Sequence, residues 1–191
     1  MPHATVFDLE FTAWEGSMAR RWLGPGEFKE VVQFGAVKLN AQSFAVLDEF
    51  EILVKPRINP ALSDYLVTLT GVTNEAVAAR GVDFAEAYEK FVAFADDGLI
   101  AAFGRDDLVL ADNLRLYGIA GASPMPRYAN TIPWLLENGI DARGFHACDV
   151  ARLCGAQFSG REHDALEDAR SVALGIGTLV GRGARNILLA S

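Results

Sequence analysis

The sequence predicts an α/β fold, a mixed sheet covered by helices, and two observations carry that expectation. The first is the order of segments: three β-rich runs, then helical runs, then a strand–helix–strand–helix series. The second is size and composition. The 191 residues are 51% hydrophobic and 22% charged, which suits one soluble domain over 1–191 with a sizeable core.

Each element has its own signal. Thr5–Leu9 reads as a short, mostly apolar strand leading into Glu10. Val31–Leu39 and Phe44–Val54 are β-rich runs joined by Asn40-Ala41-Gln42-Ser43, a plausible hairpin turn. Lys55-Pro56-Arg57-Ile58-Asn59-Pro60 then breaks the strand pattern. Helices are expected over Ser63–Leu69, stopping at Gly71, and over Asn74–Ala79, with Asn74 as its cap. Phe84–Ala95 carries Phe84, Ala87, Tyr88, Phe91 and Ala95 at helical spacing. Leu99–Phe103 is a compact apolar run that suits a buried strand. Asp107–Tyr117 follows as a helix ending at Gly118. Tyr128–Ile132 is the last expected strand, with Pro133 opening a helix. Asp149–Leu153 and Asp164–Val180 are the final helices, the second with Leu166, Ala169, Val172, Ala173, Ile176 and Val180 on one face.

Composition excludes several classes. No apolar run approaches the roughly 18 residues of a membrane span, so no membrane partner is expected. The N-terminus lacks the basic and apolar stretches of a secretory signal, and the expected compartment is the cytoplasm. Cys148 and Cys154 are too few for a disulfide framework and lack metal-site spacing, so both are read as small core residues. The net charge of −8 argues against a tight, nonspecific polyanion binder. It does not exclude nucleic acid if the acids hold cations, which would invert the local field.

Three acidic motifs stand out. Asp8 and Glu10, at i and i+2 on a strand, point to one face. Two carboxylates on one face of an apolar strand need a cation or solvent between them, so the pair is either a metal site or a solvated strand end. His163-Asp164-Ala165-Leu166-Glu167-Asp168 has capping-box spacing at Asp164 and Glu167. That leaves His163 on a loop before the helix. It also lets Asp168 share the core-facing side with Ala165, Val172 and Leu179. Phe103-Gly104-Arg105-Asp106-Asp107-Leu108 joins a strand to a helix, where acids also serve as dipole-complementing residues.

Together these residues resemble the DEDDh exonuclease superfamily. Asp8-Leu9-Glu10 matches its first motif, and His163 followed five residues later by Asp168 matches its third. Val54-Lys55-Pro56, Leu62-Ser63-Asp64 and Leu69-Thr70-Gly71-Val72-Thr73 resemble the ERI-1/KapD-like branch. The likeness runs from Thr5 to about Leu179 and is weakest over Ile119–Phe158. It implies a ribonuclease H-like fold, a five-stranded mixed sheet whose first three strands are antiparallel.

The resemblance also implies a reaction. The expected activity is 3′→5′ hydrolysis of single-stranded nucleic acid, RNA favoured over DNA, releasing nucleoside 5′-monophosphates. Carboxylate ligands suit two Mg²⁺ or Mn²⁺ ions. Asp8 would bridge both ions, Glu10 and Asp168 would hold the nucleophile-side ion, and Asp107 would serve the other. His163 would take the proton from the attacking water. Leu9, Phe11, Thr12, Leu69, Thr70 and Val72 are expected around the 3′-terminal nucleotide, with core packing an equal reading for Phe11. A DNA-directed proofreading exonuclease, a noncatalytic binding module on the same scaffold and an unrelated acidic metalloprotein are the alternatives.

Two local questions remain open in the sequence. The segment Ala13–Lys29, with Trp14, Arg20, Arg21 and Trp22, is either a surface excursion or a flap with aromatics for bases and arginines for phosphate. At the second motif, Asp106, Asp107 and Asp112 compete for one ligand position. An apolar stripe of Leu110, Ala111, Leu114 and Tyr117 would put Asp107 nearest the sheet, Asp106 at the edge and Asp112 in solvent. The branch's Trp-Gly-x-x-Asp pattern also selects Asp107.

Overall fold

The computed structural model describes residues 2–189. Its sheet has five strands in the order β3-β2-β1-β4-β5. Strands β1 (His3–Phe11), β2 (Val31–Asn40) and β3 (Val46–Leu53) form an antiparallel meander. Strands β4 (Leu99–Ala102) and β5 (Tyr128–Asn130) extend it in parallel from the other side of β1. This is the mixed sheet that the resemblance implied, with β1 at its centre. None of the described helices is long and apolar enough to cross a membrane.

The strands alternate between two cores, as period-two side chains require. On one face Ala4, Val6, Val37 and Leu39 pack beneath the long helix α8 (Ala165–Gly181), through Ala169, Val172 and Ile176. On the other, Phe7, Leu9, Phe34 and Ile100 pack beneath α4 (Phe84–Ala95) and α5 (Asp106–Leu116). A third cluster joins Val32 and Leu53 to the helices α2 (Asp64–Thr70) and α3 (Asn74–Arg80). The remaining helices are α1 (Ser17–Arg20), α6 (Thr131–Glu137) and α7 (Val150–Leu153). Cys148 and Cys154 are buried free thiols near α7.

One cap differs from the expected one. Thr73, not Asn74, caps α3, its hydroxyl accepting from the Ala76 amide. Asn74 instead brackets Leu62, accepting from its amide and donating to its carbonyl. At α8, Asp164 accepts from the Leu166 and Glu167 amides as its position requires. The Glu167 carboxylate is engaged by Arg170.

The approach of α8 to the sheet depends on one glycine. A Cβ at Gly35 would lie 2.1 Å from backbone atoms of Ala165 and Leu166. Gly35 pairs in register with Asp8. Beside it, Gln33 Oε1 accepts from the Ala165 amide at 3.3 Å, tying β2 to the first turn of α8. The absent side chain therefore lets the helix carrying Asp168 rest directly on the strand beside Asp8.

Candidate active site

Strand alternation explains the first two acids. Asp8 and Glu10 continue the face that carries Ala4 and Val6, and that face meets α8. Asp168, one turn into α8, is buried and turned toward them. Glu10, His163 and Asp168 bring one ligand atom each within 4.8 Å of one another. A second such group, His3, Asp96 and Asp97, lies at the opposite end of β1 and is largely exposed.

The fourth acid departs from expectation. Asp106, not Asp107, lines the cavity with Asp8, Glu10 and Asp168. Asp107 turns away and takes a two-pronged hydrogen bond from Arg105, Nε and Nη2 each 2.8 Å from a carboxylate oxygen. The reason is a one-residue error in the helical stripe. The buried face of α5 is Val109, Leu110 and Asn113, and Asp106 stands one turn before it. Asn113, polar by type, is fully buried because its amide is satisfied three times. It accepts from the Val31 amide and donates to the Lys29 and Val109 carbonyls.

The electrostatics separate the same two residues. Burial, then the charges of Asp106, Asp168 and Glu10, push the Asp8 carboxyl well above its ordinary range. Burial and Asp168 do the same to Glu10. Burial raises Asp106 to about 7 against the opposing charge of Lys29, and burial with Asp164 raises Asp168 to about 7. The Arg105 fork instead holds Asp107 below its ordinary value. Asp106 Oδ2 and Asp168 Oδ1 are buried with no hydrogen-bond partner among the described residues. Buried carboxylate oxygens without donors, gathered around one cavity, are the arrangement that a bound cation satisfies.

His163 sits where the loop enters α8, with a positive φ of 58°. Burial, then the neighbouring His146, lowers its pKa, so the imidazole is neutral at neutral pH. The two rings meet edge to face with centroids 5.3 Å apart. His146 also lines the cavity and carries no motif signal in the sequence.

The walls of the cavity, about 380 Å³, are largely apolar. Leu9, Phe11 and Leu69 line it as expected. Thr12, Thr70 and Val72 do not. The Thr12 hydroxyl ties the Phe28 carbonyl and the Glu30 amide. The Thr70 hydroxyl bridges the Leu66 carbonyl and the Val72 amide, and Val72 packs in the third core cluster. These residues shape the wall from behind, because their polar groups are spent on holding turns.

Residues 13–29 supply the rest of the rim. Trp14, Ser17, Met18 and Trp22 face the cavity. Trp22 donates to the Thr12 carbonyl, packs edge-on against Phe11 at 5.4 Å, and lies beneath Lys29 Nζ at 4.2 Å. The segment's two tryptophans therefore stand at the cavity rim. Of the two arginines, Arg20 is paired with Glu27.

Comparison with known proteins agrees with this geometry. The exonuclease family model RNase_T matches residues 5–174. ERI1 exoribonuclease 2 of Danio rerio is 27% identical over 88% of this chain and 33% of its own length. The 3′-5′ exoribonuclease 1 of Homo sapiens is 37% identical over 38% of this chain and 19% of its own length. The chain thus spans a third or less of these curated relatives. Among solved structures, the nuclease domain of 3′hExo, a DEDDh family member bound to rAMP, superposes with a TM-score of 0.80 at 21% identity, covering 99% of this chain and 96% of that one. Exonuclease I of E. coli with a dA16 oligonucleotide gives 0.70 at 14% identity, over 96% and 42%. Sheet order, acid-lined cavity and a model match over most of the chain lead to one assignment: the chain belongs to the RNase_T exonuclease family.

Proposed function

We propose that the chain is a 3′→5′ exonuclease that removes nucleoside 5′-monophosphates from single-stranded RNA. The observation that carries this reading is the convergence of Asp8, Glu10, Asp106 and Asp168 with a neutral His163 around one cavity. The exoribonuclease names of the relatives favour RNA. A cavity of this size suits one nucleotide, with Leu9, Phe11 and Trp22 as apolar surfaces for base and sugar.

The four carboxylates would hold two hard divalent cations, Mg²⁺ or Mn²⁺. When bound, such ions supply charge neutralisation and an acidified water for an in-line displacement. The chain's own groups account for the rest. Asp106 and Asp168 each offer an unpartnered oxygen. His163 accepts the proton of the attacking water at an imidazole nitrogen. The water oxygen bonds to the terminal phosphorus, the P–O3′ bond breaks, and the shortened strand leaves with a 3′ hydroxyl protonated from solvent. The apolar walls limit water around the reacting phosphate.

The test is product analysis on matched single-stranded RNA and DNA labelled at the 5′ end. The expected result is stepwise shortening of RNA from the 3′ end, abolished by EDTA and restored by Mg²⁺ or Mn²⁺. Undiminished activity in chelator would overturn the metal assignment. A clear preference for DNA would move the chain to the proofreading-type reading.

A further inference from the structure

Trp22 is a wall shared by two cavities. One is the carboxylate-lined cavity; the other is a groove of about 640 Å³ between residues 21–29 and α5. Its ionic lining is Arg21, Lys29, Arg105 and Arg115 against Glu27 and Asp112. This basic surplus lies on a chain with 25 acids and 17 bases, so it opposes the overall composition. Both acids are already neutralised, Glu27 by Arg20 and Asp112 by Arg115. Arg21 is exposed and has no carboxylate partner among the described residues. Lys29 Nζ lies 4.2 Å from the Trp22 ring centroid and 5.1 Å from that of Phe11, which fixes a positive charge at the seam between the cavities. Phe28 and Leu108 add apolar surface, 40% and 47% exposed.

We infer that this groove binds the sugar-phosphate backbone of the strand just upstream of its 3′-terminal nucleotide; the inference rests on the exonuclease reading above. A strand with its last nucleotide beside Trp22 must leave the acidic cavity, and its phosphates need fixed cations nearby. Guanidinium groups match phosphate oxygens with paired donors. The exposed Arg115–Asp112 and Arg105–Asp107 pairs do not oppose this, since solvent-screened pairs are weak and yield readily to a phosphate. The exposed faces of Phe28 and Leu108 suit sequence-independent contact with bases. The acids hold the end of the strand and the groove holds what precedes it, so a net charge of −8 is compatible with a polyanionic substrate.

A dinucleotide reaches only the first cavity, whereas a dodecamer reaches the groove. The experiment compares wild type with an Arg21→Gln/Arg115→Gln double variant, both measured in Mg²⁺. Binding is read by fluorescence anisotropy on a single-stranded dodecamer with nuclease-resistant phosphorothioate linkages, which keep their negative charge, at its 3′ end. Turnover is read on the dinucleotide and on an ordinary dodecamer. The double variant is expected to bind the dodecamer roughly tenfold or more weakly, the size of a lost charged contact. Its salt dependence should flatten by about 1.4 in log–log slope, roughly 0.7 for each phosphate contact. Dinucleotide turnover should be unchanged. Asp112→Asn, which frees Arg115, should tighten the dodecamer. Unchanged dodecamer affinity and slope in the folded double variant would overturn the inference, including the case in which the groove docks an acidic protein surface. An equal loss on the dinucleotide would overturn it too. Wild-type turnover of neither substrate would sink the exonuclease reading instead, and the anisotropy arm would still decide the groove.

Discussion

The cavity draws its acids from two scaffolds held in different ways. Asp8, Glu10 and Asp168 stand on β1 and α8, which press together across Gly35 in the middle of the sheet. Their directions follow from strand alternation and from the burial of α8, so a shift by one residue would turn core side chains into solvent. Asp106 stands on the first turn of α5, at the edge of a helix whose buried face includes the polar Asn113. Its direction depends on three side-chain hydrogen bonds to one amide as well as on the burial of Val109 and Leu110. Where apolar burial sets the register, the site is rigid and readable. Where a buried polar group sets it, neighbouring acids can exchange roles.

The largest expected effects test both scaffolds together. Asp8→Ala and Asp106→Asn should each lower kcat/KM by about 10³-fold or more, because several kcal/mol of charge stabilisation depends on the ions these residues are proposed to hold. Steady-state assays on single-stranded RNA would show it, with calorimetric Mg²⁺ titration reporting the lost site. An active Asp106→Asn enzyme would break the symmetry between the two scaffolds. Next comes His163→Ala, expected to cost roughly 10²–10⁴-fold in rate, the range for loss of a general base. Metal affinity should change little, and loss of a metal site in that variant would make His163 a ligand.

The difference between the scaffolds also governs what was legible. Asp8, Glu10, His163 and Asp168 came from the joint match of their motifs to the DEDDh pattern; period two and a capping position fit where they point but by themselves left a solvated strand end and a loop histidine open. Most element positions followed from periodicity and turn signals, whereas the mixed five-stranded sheet was implied by the resemblance. Asp107 was favoured over Asp106 because the stripe was drawn through Leu110, Ala111, Leu114 and Tyr117, and no single-sequence pattern reveals that Asn113 will be buried by three backbone partners. His146 was missed because its ring reaches the cavity from an irregular segment, which has no period to read. Thr12, Thr70 and Val72 lie in the right motifs but serve the turns behind the wall. Proximity in sequence to a motif does not fix the direction of a side chain.

A smaller effect should appear in stability. Asp106 and Asp168 stand at about 7 in the folded protein against an ordinary 3.8. A carboxyl raised by folding contributes stability that is fully present below its unfolded value and is lost as pH rises through its folded value. The metal-free protein should therefore melt lower at pH 8 than at pH 5.5, by a few degrees, since each kcal/mol moves Tm by roughly 2–4 °C at this size. Scanning calorimetry in EDTA checks the sign. Mg²⁺ should raise Tm at pH 8 by binding the folded state alone. Asp106→Asn should flatten the pH dependence and raise Tm at pH 8 without metal. A Tm that rises with pH through this window would contradict the unpartnered state of these carboxyls.

The smallest expected effect is at Asp107, and it is the sharpest test of the α5 scaffold. Asp107→Asn removes a carboxylate that points away from the cavity and pairs with an Arg105 side chain 56% exposed. A pair so open to solvent is screened and contributes little. As a first-turn acid, Asp107 adds about 0.3–1 kcal/mol through the helix dipole. Asparagine keeps the shape and a carbonyl acceptor for Arg105, so the helix should form unchanged. Activity on single-stranded RNA should stay near wild type, with Tm lowered slightly. Position 107 is the one that the branch's motif selects, while burial, the raised carboxyl and the unpartnered oxygen all select 106. The paired variants decide between motif register and packing register. A dead Asp107→Asn enzyme beside an active Asp106→Asn one would mean that the first turn of α5 is rotated by about 100°, one residue of helix. Asn113 would then leave its buried position, and its hydrogen bonds to Val31, Lys29 and Val109 would be lost with it. An Asn113→Leu variant measured alongside gives that outcome a second readout, since it should weaken Mg²⁺ binding only if Asn113 sets the direction of Asp106.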